Sequence, residues 1–264
     1  MQKIKRNTMS INYQELTLQV CEIARTTGSF MAEERKTFDD SKIEVKGVHD
    51  LVSYVDKTAE IRIVEALQTL IPDAGFIAEE GTNDKRGERF NWVIDPLDGT
   101  TNYIHGLPIY SVSIALLDNN ELVSGVVYEV GHDECFYAWK GGGAFLNGKS
   151  IRVSTRSEIG NALLATGFPY SDFSRLDAYV EMFKWAMTSA RGVRRLGSAA
   201  ADLAYVACGR FDAFWEYDLK PWDVAAGALL VTEAGGKVTD YKGGSDYLFG
   251  KEIVATNGII ELPL

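Results

Sequence analysis

Between Tyr110 and Trp139 the chain carries three apolar segments, Tyr110 to Leu117, Leu122 to Val130 and Cys135 to Trp139, parted only by short polar turns. Segments that alternate or run apolar over this length read as strands. Just beyond them "NGKSIRVS" contains Asn147-Gly148, a hairpin signal. Helical spacing flanks this block. Residues 11–34 place Leu16, Val20, Ile23 and Ala24 on one face, and Lys57 to Leu70 turns Ile63, Ala66, Leu67 and Leu70 inward until Pro72 stops it. Between these helices, residues 43–56 read as extended pieces around a polar turn. "GFIAEEGT" is a short strand ending in Glu79 and Glu80, and residues 82–90 are a polar loop, expected to be mobile.

The second half alternates. A strand from Ala162 to Thr166 precedes a helix from about Phe173 to Thr188, a small-residue helix from Ser198 to Cys208 and a strand from Ala213 to Glu216. A helix from Pro221 to Glu233 has a proline in its first turn, where a missing N–H does no harm, and Gly235-Gly236 closes it. Short strands follow near Lys237 to Asp240 and Ile253 to Ala255. No repeat, low-complexity tract or linker interrupts the chain. The expectation is an α+β fold in layers: one domain over 1–264, with halves at about 9–150 and 151–264 packed as a unit and 1–8 a loose tail.

A formal net charge of -10 argues against nucleic acid or an anionic membrane as the main partner, since both call for a basic footprint. Cys21, Cys135 and Cys208 are odd in number and lack a C-x-x-C, so they are expected as reduced thiols of a cytoplasmic protein. No apolar core follows the basic N-terminus, so it does not read as a secretory signal, and no window approaches a membrane span.

The chemistry concentrates in "WVIDPLDGTTNYIHGLP", Trp92 to Pro108. Asp95 and Asp98 stand three apart across a proline turn, so their carboxylates can face a common centre. Together with Glu79 and Asp223 they supply oxygen-only donors, which suit magnesium. His105 is the one histidine near them, so zinc is not expected. Gly99-Thr100-Thr101, Gly197-Ser198-Ala199 and Trp222-Asp223 each open a turn or helix, and helix N-termini attract anions. Cations held by acids beside such helix ends are what metal-dependent phosphoryl transfer asks for.

The "AEE" of Ala78 to Glu80, "WVIDPLDGTTNY" and "WDVAAGALLVTEAGG" of Trp222 to Gly236, in that order, resemble the inositol monophosphatase family of magnesium-dependent, lithium-sensitive phosphatases, with alanine where the family usually has glycine before its two glutamates. The resemblance runs from about residue 10 to 257. It implies a layered αβαβα sandwich, a homodimer, and two to three magnesium ions. Carried over, Glu79, Asp95 and the Leu97 carbonyl hold a first magnesium; Asp95, Asp98 and Asp223 hold a second; a third sits on Glu79. Thr100, backed by Asp56, orients the attacking water. The Gly99 and Thr100 amides hold phosphate. The Ala199 backbone and Glu216, with Asp98, meet the substrate's hydroxyl groups.

The resemblance implies a small-molecule phosphate ester as substrate. Inositol 1-phosphate or a similar polyol phosphate leads, with histidinol phosphate and fructose 1,6-bisphosphate behind it. The Thr101-Asn102-Tyr103 wording after Asp98-Gly-Thr disfavours 3′-phosphoadenosine 5′-phosphate. A non-catalytic metal-binding relative should have lost a ligand or the threonine, and none is lost here. Lys46 stands near a basic position of the family that faces the third metal, with spacing off by one. Glu80 is expected behind the ligands, and His105 in a loop without a catalytic part. Arg191, Arg194 and Arg195 read as a solvated face or dimer contact, the alternative being that one of them meets a substrate phosphate. The Trp and Tyr residues read as core.

Overall fold

The computed structural model describes residues 11–38, 43–45, 51–83 and 85–264; the expected N-terminal tail and Lys46 lie outside them. Helix α1 (Tyr13–Arg35) starts where the Asn12 side chain accepts from the Gln14 and Glu15 amides, and it buries Leu16, Val20, Cys21 and Ala24. Strands β1 (Ile43–Val45) and β2 (Leu51–Ser53) pair antiparallel. Helix α2 (Tyr54–Leu70) follows at once, three residues before the expected start at Lys57. The cause is a capping box. The Ser53 hydroxyl accepts from the helix's first amides, and Asp56 Oδ2 accepts from the Ser53 amide at 2.8 Å and hydroxyl at 2.7 Å.

Seven strands build the first sheet in sequence order: β3 (Gly75–Ala78), β4 (Phe90–Asp98), β5 (Ser111–Asp118), β6 (Glu121–Glu129), β7 (Glu134–Trp139), β8 (Gly143–Leu146) and β9 (Lys149–Ile151). The β3 and β4 pair is parallel and the other pairs are antiparallel. Asn147 and Gly148, both at positive φ, make the β8–β9 turn that the sequence signalled. The second sheet holds β10 (Leu163–Thr166), β11 (Gly192–Arg194), β12 (Ala213–Tyr217), β13 (Lys237–Thr239) and β14 (Glu252–Thr256), in the order β11-β10-β12-β14-β13. Strand β11 was absent from the sequence reading, and β8 was marked there only by the turn that follows it. Both are short and half-buried, so neither carries a clear apolar period.

The remaining helices are α3 (Thr100–Ile104), α4 (Leu176–Ser189), α5 (Ala199–Ala207) and α6 (Pro221–Glu233). Side-chain alternation along β4 shows the layering. Trp92 and Ile94 pack under α1 and α2 with Val20, Ile63 and Leu67, while Val93 packs the other way with Ala226 and Leu230 of α6. Helices α5 and α6 lie between the sheets, where Leu203, Val224 and Leu230 share one core with Val127 of the first sheet and Phe214 and Ile253 of the second. Helix α4 covers the outer face of the second sheet through Tyr179, Met182 and Ala186. The order is αβαβα. A middle-layer helix is buried on every side, which is why α5 and α6 are built of small residues. A Cβ on Gly227 would fall 2.5 Å from the Leu203 Cβ, and one on Gly125 would fall 2.9 Å from the Ala226 carbonyl oxygen. No described helix is long and apolar enough to cross a membrane.

Candidate active site

The end of β4, the starts of α5 and α6 and the end of β12 meet at a cavity of about 430 Å³. Strand β4 is shaped for this. Asp95 pairs with Ser113 and Asp98 with Ser111, so the strand carries one extra residue, a bulge, and Pro96 sits in it. The Leu97 amide donates to Asp95 Oδ1 at 3.0 Å. Gly99 then turns the chain at φ 94°, and a Cβ there would fall 3.0 Å from the Ile109 carbonyl oxygen and 3.2 Å from that of Gly197. Glycine is therefore required on both conformational and steric grounds. Asn102 clamps the turn in place, donating to the carbonyls of Ile109 at 2.7 Å and Leu196 at 2.8 Å.

The Thr100 hydroxyl lies 3.0 Å from Asp56 Oδ1 and 3.0 Å from the Leu97 carbonyl oxygen, sharing its one proton between two acceptors. The Thr100–Asp56 pair thus spans 44 residues of sequence. Burial pushes the Asp56 carboxyl up from its ordinary range, and the hydrogen bonds from Ser53 and Thr100 pull it back. Asp98 Oδ2 accepts from the Ser198 hydroxyl at 2.6 Å and the Ala200 amide at 2.7 Å, which ties β4 to the first turn of α5. Asp223 accepts from the Lys220 amide at 2.7 Å in the first turn of α6. Glu79 follows β3. Its loop is held by Glu60, a fully buried α2 carboxylate that accepts from the Glu80 and Thr82 amides, both at 2.7 Å.

Crowding raises these acids. Burial first, then repulsion from Glu79, Asp98 and Asp223, lifts Asp95 well above the carboxylate range, and it shares a hydrogen bond with Glu79. Asp98 is pushed up to about 6 by burial, against the pull of Ser198 and the α5 amides. Asp223 is pushed up to about 7 by burial and by Asp98. Among the described residues, seven carboxylates and two cations, Arg195 and Lys220, line the cavity.

The donor set fits a hard divalent cation: carboxylates plus the Leu97 carbonyl, with no histidine or cysteine on the cavity wall. Among the described residues no three such side chains already converge as a ready-made metal cluster.

Every expected ligand and substrate contact lines this one cavity: Glu79, Asp95, Leu97, Asp98, Gly99, Thr100, Ala199, Glu216 and Asp223. Asp56 stands behind Thr100. His105 ends α3 on the exposed surface, away from the cavity. Wall residues outside the expected set include Gly167, Tyr170, Arg195, Asp202, Asp218 and Lys220. All three arginines are exposed, as a solvated face would be, but Arg195 also lines the cavity. Arg191 bonds Asn161 and Arg194 bonds the Val193 carbonyl, but Arg195 joins the cavity wall, donating to the Tyr170 hydroxyl at 2.8 Å with its guanidinium 5.2 Å from the Phe168 ring centre. Tyr170 is accordingly a half-exposed wall residue rather than core. A signal for Asp202 was available, since an acid inside a small-residue helix that is buried all round must itself be buried.

The sequence model of the inositol monophosphatase family matches residues 12–262. The chain belongs to the inositol monophosphatase family. It is 45% identical over 239 residues to the Nus factor SuhB of Pseudomonas aeruginosa, covering 89% of this chain and 88% of the relative. It is 42% identical over 231 residues to an inositol-1-monophosphatase of Rhizobium meliloti, covering 87% of each. A crystal structure of the extragenic suppressor protein suhB from Bartonella henselae superposes with a TM-score of 0.89 at 39% identity, covering 93% of this chain and 95% of that one. The family places phosphatase chemistry on this fold, and the relatives carry both enzyme and Nus factor names.

Proposed function

We propose that this chain is a magnesium-dependent phosphate monoester hydrolase acting on inositol 1-phosphate or a similar small polyol phosphate. One observation carries the reading: Glu79 beyond β3, Asp95 and Asp98 of β4 and Asp223 of α6 share a cavity wall with a Thr100 hydroxyl backed by a buried carboxylate. Glu79, Asp95 and the Leu97 carbonyl would hold one magnesium, and Asp95, Asp98 and Asp223 a second, with a third on Glu79. Bound there, the metal supplies the positive charge that a transferring phosphoryl group requires. Asp56 fixes the Thr100 side chain, so its oxygen presents lone pairs that orient a water beside the phosphorus. Ser198 and the α5 amides hold Asp98 in place. The Gly99 and Thr100 amides receive the phosphate, and Glu216 with the Ala199 backbone receives the leaving group's hydroxyls. A homodimer in the cytoplasm belongs to the same proposal.

The test is phosphate release, with and without magnesium, from inositol 1-phosphate, histidinol phosphate, fructose 1,6-bisphosphate and 3′-phosphoadenosine 5′-phosphate. Preference for inositol 1-phosphate, lost in a folded Asp95→Asn variant, is expected. Near-normal rates in that variant would sink the metal assignment. A second reading, favoured by the relatives named Nus factor SuhB, is that the chain also serves as a Nus factor. Asp95→Asn separates the two, since a Nus role that survives this variant is independent of the acid cluster.

A further inference from the structure

Asp202 has no part in the chemistry described so far, and its surroundings are unusual. It lies in the first turn of α5, 1% exposed, in the wall of the cavity. Its Oδ1 is buried and has no hydrogen-bond partner. It is not the helix cap, because Ser198 already accepts from the Ala201 amide. The cation that acts on it, Arg195, is engaged with the Tyr170 hydroxyl. Its neighbours along the helix, Ala199, Ala200, Ala201, Leu203 and Ala204, are all buried and apolar. A carboxyl in such a place costs stability and completes no bond within the fold, so its partner is to be sought in the cavity.

Glu216 stands close enough to Asp202 to feel its charge, and it too is buried in the cavity wall with its position enforced. A Cβ at Gly167 would lie 2.0 Å from the Glu216 carboxyl group. A carboxyl accepts hydrogen bonds from hydroxyl groups, and two on one wall match two hydroxyls of one ligand. We infer that Asp202 is a substrate-recognition residue, forming with Glu216 a two-carboxyl wall that selects leaving groups bearing adjacent hydroxyls. This rests on the proposed phosphate-ester reading.

The test compares wild type, Asp202→Asn and Asp202→Ala by three readouts. In ligand-free protein, Asp202→Ala is expected to melt higher than wild type, because an unpaired buried acid is removed; a lower melting temperature means a structural role and overturns the inference. In steady-state kinetics, Asp202→Asn is expected to lower kcat/KM for inositol 1-phosphate at least about tenfold more than for phenyl phosphate, which has no hydroxyls, chiefly through KM. An equal loss for both esters, or an equally large loss of magnesium affinity, overturns it. The third readout needs no turnover: inositol added to protein already holding phosphate and magnesium should raise the wild-type melting temperature further and give no such increment in Asp202→Asn. If wild type cleaves neither ester, the phosphatase reading falls, and this binding shift alone decides Asp202, its absence in wild type overturning the inference.

Discussion

Ser198→Ala should unfold the protein several degrees earlier, and the size of the effect follows from one hydroxyl with three partners. Ser198 Oγ lies 2.6 Å from Asp98 Oδ2, 3.3 Å from the Ala201 amide and 3.1 Å from the Ser111 hydroxyl. A hydroxyl has one proton and two lone pairs. With Asp98 ionised, the proton goes to the carboxylate, the lone pairs accept from Ala201 and Ser111, and Ser111 must therefore be a donor. Alanine leaves the Ala201 amide uncapped, which costs about 1 kcal/mol. It also removes a hydrogen bond to a charged group, worth about 2 kcal/mol. The fully buried Ser111 loses its acceptor as well. A sum of about 3 kcal/mol corresponds to roughly 6–12 °C in a chain of this size. Calorimetry in chelator measures it. Asp98 would keep the Ala200 amide but lose a bond that favours its charged form, so its carboxyl should rise above about 6. Magnesium would then compete less well with protons, and its affinity at pH 6.5 should fall several-fold. Melting within about 2 °C of wild type would refute the hydrogen-bond assignment. Ser198→Thr, which keeps the hydroxyl, should recover most of the loss.

Two further outcomes are expected. Gly167→Ala places a methyl 2.0 Å from the Glu216 carboxyl, which must shift by more than an ångström, so KM for a polyol phosphate should rise at least about tenfold with the fold intact; an unchanged KM would show that Glu216 is not a substrate contact. Without metal, stability should fall as pH rises from about 4 to about 7. Asp98 at about 6 and Asp223 at about 7 hold protons in the folded chain over a window in which the unfolded chain, near 3.8, has already released them. Melting curves in chelator across pH 4–8 measure this, magnesium should reverse the loss at the upper end, and a melting temperature that climbs through the window would contradict the crowded-acid reading.

Sequence alone settled what local chemistry settles. Proline at the first turn and paired glycines after the last placed α6 at Pro221–Glu233, and Asn147-Gly148 placed a hairpin turn, because these residues act on their own backbone. Three motif boxes in order identified the family, and the residues they single out line one cavity in the fold. Other residues depended on contacts that no local pattern encodes. Asp56 reads as part of an extended piece until its capping box starts α2 early and its second oxygen meets Thr100. Glu60 reads as one more helix acid until the Glu80 and Thr82 amides close on it. Three neighbouring arginines look alike along the chain, and only the packing of Phe168 and Tyr170 selects Arg195 for the cavity. Gly167 has no evident purpose until Glu216 is packed against it. Backbone preference is a property of neighbours in sequence, whereas burial, repulsion and hydrogen-bond satisfaction are properties of neighbours in space, and it is the meeting of the two sheets around α5 and α6 that decides the latter.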